Sequence, residues 1–175
     1  MKQNSILLLI FSLFLFSCDN DDPVVIETNL PLTVPIEISE ASATEHESGR
    51  TDYAFTASGT YYLSDNDDLK DQLDDISNIF SRGSSAKIAG LAEGDTVNYV
   101  SISIGESTVG INTPDSLYFT STSNPDLGFG YAAFGDVLME DKQVTVTVEG
   151  TTRKAPMNFD VNFELLIEAV LADEW

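Results

Sequence analysis

Carboxylates dominate the side chains that could do chemistry: 29 Asp and Glu stand against 8 Lys and Arg, with one histidine, His46, and one cysteine, Cys18. Two acids about 5–10 Å apart, one held protonated by an apolar setting, can hydrolyse a glycosidic bond. The pattern singles out no such pair. Glu164 and Glu168 fall on the polar side of an alternating segment, and Asp67, Asp68, Asp71, Asp74 and Asp75 on the polar side of a helical one. Asp65-Asn66-Asp67-Asp68 opens like a calcium loop, but Leu69 and Lys70 stand where an EF-hand needs an oxygen ligand and a glycine. Asp65, Asp67 and Asp68 are left as a looser calcium candidate, with a helix cap as the simpler reading and no cofactor expected. Gly128-Phe129-Gly130-Tyr131-Ala132-Ala133 has the letters of a dinucleotide loop, yet Pro125-Asp126 precedes it where a strand is required. His46 lies between Glu45 and Glu47, and no Gly-x-Ser-x-Gly elbow accompanies it. One His and one Cys cannot complete a zinc site, and one Cys cannot close an internal disulfide. The expectation is a chain that is not an enzyme.

The formal net charge of −21 excludes a nucleic-acid partner, since such binding rests on Lys and Arg neutralising phosphates. It also disfavours direct adhesion to an anionic lipid surface. At 42% hydrophobic and 10% aromatic residues the chain is nonetheless globular rather than disordered.

Met1-Lys2-Gln3-Asn4-Ser5 is a short basic start, and Ile6 to Phe16 is an apolar run broken only by Ser12. As a helix that run covers roughly 16 Å against the ~30 Å of a bilayer core, which fits an export signal rather than a membrane span. Leu15-Phe16-Ser17-Cys18 at its end resembles a bacterial lipobox. The resemblance implies that residues 1–17 are removed and that Cys18 carries the lipid. Acyl chains contribute about 0.8 kcal/mol per buried CH₂, so two or three of them anchor a protein stably. Asp19-Asn20-Asp21-Asp22 follows at once and is similar to the acidic tether of Bacteroidetes-type lipoproteins, where such a cluster directs transfer to the outer face of the outer membrane. The expected location is the outer membrane, lipid-anchored and surface-exposed. Beyond these residues the chain is only generically like small β-rich lipoproteins of that group.

Residues 18–31, with Pro23 and Pro31, read as an acidic tether, and residues 32–175 as a single domain. Leu32, Val34, Ile36 and Ile38 alternate with polar residues as in a half-buried strand, which Pro35 confines to an edge or a bulge. Tyr53, Phe55 and Ala57 give a second alternation, with Gly59 expected to mark a bulge before Tyr61. Between Asn66 and Phe80 the period changes: Leu69, Leu73, Ile76 and Phe80 share one face of a helix. Strand-like stretches resume at Ala86–Ile88, Val97–Ile104, Val109–Ile111 and Leu117–Phe119, and Gly128–Asp141 holds Tyr131, Phe134, Val137 and Leu138 at helical spacing. Val144, Val146 and Val148 alternate, Gly150–Pro156 turns, and Met157 through Ala169 alternate without a slip, so these last two strands are expected to pair as an antiparallel hairpin. The pattern predicts a mainly β, antiparallel β-sandwich, immunoglobulin-like by architecture, with two helical insertions.

The functional expectation is a lipid-anchored, non-enzymatic module that binds an extracellular glycan or peptide or joins an envelope protein complex. Its contact with the membrane is through the lipid alone. A glycan-directed hydrolase using a carboxylate pair, and a purely structural envelope protein, are the alternatives. Loops at one end of a sandwich are the expected binding surface, and Tyr61, Tyr62, Tyr118, Phe119 and Phe129 offer rings able to stack on sugars or peptides.

Overall fold

A computed structural model describes residues 23–45, 49–104, 107–109, 120, 127–129 and 134–172. The longest strand, β9 (Met157–Leu171), carries the cleanest alternation in the sequence: Met157, Phe159, Val161, Phe163, Leu165, Ile167 and Ala169 are all buried. Burying each of the larger of these side chains stabilises the fold by about 1.5–3 kcal/mol. β9 pairs antiparallel with β1 (Val25–Ile38) on one side and with β4 (Ile76–Ala89) on the other. β7 (Leu127–Phe129) extends β4 at Ser84–Ala86, giving a four-stranded sheet in the order β1-β9-β4-β7.

The second sheet has the order β2-β3-β8-β5-β6, from β2 (Ala43–Glu45), β3 (Thr51–Tyr62), β5 (Val97–Ile104), β6 (Ser107–Val109) and β8 (Gln143–Thr152). All pairings are antiparallel and neither sheet closes on itself. The inner faces share one apolar cluster, in which the rings of Phe55 and Phe159, one from each sheet, meet edge to face at 5.5 Å. β1 is an edge strand, as Pro35 requires, and Pro31 lies on it as well. The alternation legible from Leu32 begins in the structure at Val25.

The pairs are nested. β1 meets β9, β3 meets β8, β4 meets β7 and β5 meets β6, so the outermost strands of the chain pair first and the innermost last. That nesting is the connectivity of a jelly roll. It corrects two expectations. The strand order is not the immunoglobulin-like one, and β8 and β9 do not form a hairpin: residues 153–156 carry the chain from one sheet to the other. A short link fixes that two strands are near, while their partners are chosen by which flanks still have unpaired backbone groups.

The helix expected over residues 66–80 is also absent. Asn66 to Asp75 forms successive tight turns, with Leu69 N–H bonded to the Asn66 carbonyl at 3.2 Å, Gln72 to Leu69 at 2.9 Å and Asp75 to Gln72 at 2.9 Å. The Asn66 side chain accepts the Asp68 N–H at 3.0 Å, the local competition with the helix ladder that makes Asn and Asp poor helix formers. Leu69 still reaches the core, but Ile76 and Phe80 belong to β4 and point opposite ways, Ile76 buried and Phe80 exposed. β4 carries two bulges, between Ile76 and Asn78 and between Ser81 and Gly83. Each extra residue shifts the alternation by one, so Ile76 and Ile79 both face inward. Gly59, expected at a bulge, sits in unbroken register opposite Val146. It is small because an added Cβ would come within 3.0 Å of Val34 Cγ2 and 3.2 Å of Leu32 Cδ1 on the facing sheet.

Among the described residues there is one α-helix, α1 (Phe134–Asp141), inside the stretch expected to be helical. It buries Phe134 and Leu138 and packs along β4 beyond the reach of the three-residue β7, covering an edge that would otherwise be open. Lys142 ends the helix at φ 55, its N–H bonded to the Leu138 carbonyl at 3.0 Å. Gly135 allows the close approach: an added Cβ would press on the Ile79 carbonyl oxygen and lie 3.4 Å from the Ser81 nitrogen. Alanine ordinarily favours a helix over glycine by about 1 kcal/mol. Gly135→Ala is expected instead to destabilise the fold by about 1–3 kcal/mol through this overlap. Urea unfolding checks it, and an unchanged or raised midpoint would mean that α1 does not press on β4.

Candidate functional site

The second bulge of β4 shapes the outer face of the four-stranded sheet. At a bulge two consecutive residues oppose one partner residue. Here Arg82 and Gly83 lie across from Leu166, while Phe80 lies across from Glu168. On the far side of β9, Asn29 pairs with Leu166 and Glu27 with Glu168. The outer face therefore carries one row of Glu27, Glu168 and Phe80, another of Asn29, Leu166 and Gly83, and Arg82 between them.

Glu27 and Glu168 are like charges directly opposite each other, an arrangement that destabilises a strand pair. Arg82 relieves it. Its Nε donates to Glu168 Oε2 at 2.6 Å, its Nη2 donates to the same oxygen, and its guanidinium lies 5.8 Å from the centroid of the Phe80 ring. The carboxylate is mostly covered at 15% exposure whereas the Arg82 side chain is 55% exposed, so the clamp fixes the guanidinium with its remaining N–H groups open. An added Cβ on Gly83 would meet nothing within 4 Å, which leaves open space beside Leu166, itself 48% exposed.

The result is a groove of about 470 Å³ lined by Glu27, Thr28, Asn29, Arg82, Leu166 and Ile167. That volume lies within the ~300–1,000 Å³ usual for small-ligand pockets. Asn29 Oδ1 is shut off from solvent and accepts no hydrogen bond from the protein. A buried acceptor without a partner costs about 1–3 kcal/mol. Around an apolar floor the groove presents an acceptor from Glu27 and donors from Arg82.

A second cavity of about 400 Å³ is lined by Gly94, Thr96, Thr120, Arg153 and Lys154. There Lys154 Nζ is held by the buried Asp95 carboxylate at 2.5 Å, whose other oxygen accepts the Ala92 N–H at 3.1 Å. Lys154 is spent on closing the 92–95 turn.

Of the rings expected to bind ligand, Tyr61 and Tyr62 face opposite ways. Tyr61 is buried at the foot of β3, hydrogen-bonded to Asn66, whereas its neighbour Tyr62 is exposed on the outer face of the five-stranded sheet. Phe129 ends β7 opposite Ser84. Tyr118 and Phe119 lie outside the described residues, as do Leu15, Phe16, Ser17, Cys18, Asp19, Asn20, Asp21, Asp22 and His46. The acids of the calcium candidate take separate partners. Asp67 meets Lys70 at 2.6 Å, Asp68 accepts from the Thr28 hydroxyl at 2.8 Å, and Asp65 ends a 3-10 turn at Leu63–Asp65. Among the described residues no group of three acids, histidines or cysteines could hold a metal ion, and no helix is long and apolar enough to cross a membrane. Reading the sequence missed Arg82, Asn29 and Leu166. The signal that could have found them is Arg82-Gly83 interrupting a run of alternating residues.

No protein-family model matches the chain, and no curated protein is similar to it. A solved structure from Desmodium yellow mottle tymovirus is similar at 13% identity and a TM-score of 0.36, covering 89% of this chain and 91% of that one.

Burial pushes the Tyr61 hydroxyl above its ordinary value of 10.0, and the charges of Asp65, Asp67 and Asp68 add to the shift while the bond to Asn66 opposes it. Above pH 10.0 the unfolded chain releases a proton that the folded chain retains, so stability falls as pH rises. Tyr61→Phe is expected to flatten the alkaline limb of the stability profile. Urea midpoints measured from neutral pH to beyond pH 10 check this, and a limb as steep in the variant as in the parent would refute it.

Proposed function

We propose that this protein is a non-enzymatic binding module, anchored by lipid on Cys18 to the outer membrane of a bacterium and displayed at the cell surface. The observation that carries the binding role is the groove on the four-stranded sheet, where a clamped, half-exposed Arg82 and the Glu27 carboxylate flank an exposed Leu166. The anchor rests on the lipobox resemblance of Leu15–Cys18, and the surface location on the acidic Asp19–Asp22 behind it. Val25 already begins β1, so residues 18–24 are all the chain between the lipid and the sheet, at most roughly 25 Å when fully extended. Glu27 and Asn29 follow within that strand's first turn of side chains, which sets the groove near the tethered end.

Beside the groove the pair of facing carboxylates is Glu27 and Glu168, and Glu168 Oε2 is committed to Arg82, which supports binding over turnover by that pair.

Intact-mass analysis of the protein from its native host is expected to show a chain that begins at Cys18 and carries acyl groups. Cys18→Ser is expected to lose the acyl mass and the membrane association together. Asp19→Ala, Asp21→Ala and Asp22→Ala combined are expected to keep the lipid but to protect the chain from protease added to whole cells. A native chain with a bare sulfur at residue 18 would overturn the anchor, and undiminished protease access in the triple variant would overturn the sorting role.

A further inference from the structure

From the donors and acceptors around Leu166, we infer that the groove binds a neutral saccharide, seated with a C–H face on Leu166 and its hydroxyls between Arg82 and Glu27. This rests on the binding role assigned to the groove above and adds the class of ligand.

Each class of ligand makes a different demand on the same wall. An anion needs uncompensated positive charge, but the Arg82 charge is matched by Glu168 and Glu27 stands opposite, on a chain of net charge −21. An extended peptide adds to a sheet by its backbone and needs an open strand edge. The groove lies instead across the middle of a sheet, over β9, whose backbone is paired on both sides. A purely apolar ligand would cover the open N–H groups of Arg82 without giving them an acceptor.

A sugar hydroxyl both donates and accepts. One ring can therefore donate a hydrogen bond to the Glu27 carboxylate and accept from the Arg82 guanidinium. Its C–H face meanwhile covers the exposed Leu166 side chain. Gly83 is the opening for that ring. A side chain there would stand in the space beside Leu166, where among the described residues an added Cβ meets no atom within 4 Å. The groove's volume of about 470 Å³ leaves room for more than a single small polar group.

The test uses the full-length protein in detergent, screened on an array of neutral hexose, pentose and N-acetylhexosamine oligomers beside uronate-containing and sulfated glycans and a peptide library. Hits are then titrated by calorimetry. The expected result is binding to one or more neutral oligosaccharides, weakened at least tenfold by Gly83→Val, which fills the space, and by Arg82→Ala. Arg82→Lys is expected to restore little, because an ammonium lacks the planar fork held by Glu168. Thermal melts of both groove variants near that of the parent would show that blocking, not unfolding, causes the loss. Preference for uronates or sulfated glycans, or neutral-sugar binding that survives Gly83→Val, would overturn the saccharide assignment. Binding of peptides alone, abolished by Gly83→Val, would overturn it too while leaving the groove as a binding site. Silence across every probe, with the folded parent, would overturn both.

Discussion

β9 is the strand on which the rest of the molecule depends. Its inward side chains from Met157 to Ala169 are apolar without exception, so it cannot slip by one residue without turning that whole set to water. It lies inside its sheet, with β1 and β4 as the flanks. Once the last strand lies beside the first, the remaining strands fold between them as nested pairs. The five-stranded sheet follows from that order, with β8 meeting β3 rather than its neighbour in sequence. The same centrality gives the groove its floor, because the outer side chains of β9, Leu166 and Glu168, are held by paired backbone on both sides.

Strands that alternate regularly were legible from their residues alone. β1 from Leu32, β3 through Tyr53, Phe55 and Ala57, β8 and β9 all carry burial in the phase that the pattern predicts. Where a strand breaks its own period the pattern misleads. Ile76 and Ile79 share the core face only because of the bulge between them, and with Leu69 and Leu73 upstream this imitates a helical stripe. The topology was not legible for a different reason. Alternation states which face of a strand is wet, whereas partner choice depends on contacts more than a hundred residues apart, as between Glu27 and Glu168.

The site was less legible than the fold. Binding was expected at loops and at aromatic rings, yet Tyr61, the most buried of the described rings among them, serves the core and the 66–75 turns. The groove instead assembles from residues that look unremarkable singly: one arginine, one asparagine, one exposed leucine and a glycine without strain. Only the register places them together. Even Glu168, which the sequence correctly puts on the polar side of its strand, gains a role solely because a bulge on β4 turns Arg82 toward it.

A bulge suits such a site because it adds a side chain to a face without loosening the sheet beneath. A loop residue can also reach a ligand, but ordering it on binding costs backbone and rotamer entropy that subtracts from affinity. Arg82 has largely met that cost in the free protein: the Glu168 carboxylate and the Phe80 ring fix its guanidinium before any ligand arrives. Asn29 is fixed in the same way by its place opposite Leu166 in an unbroken register. A surface made from strand residues is geometrically selective, since groups that do not move cannot adjust to a misplaced partner.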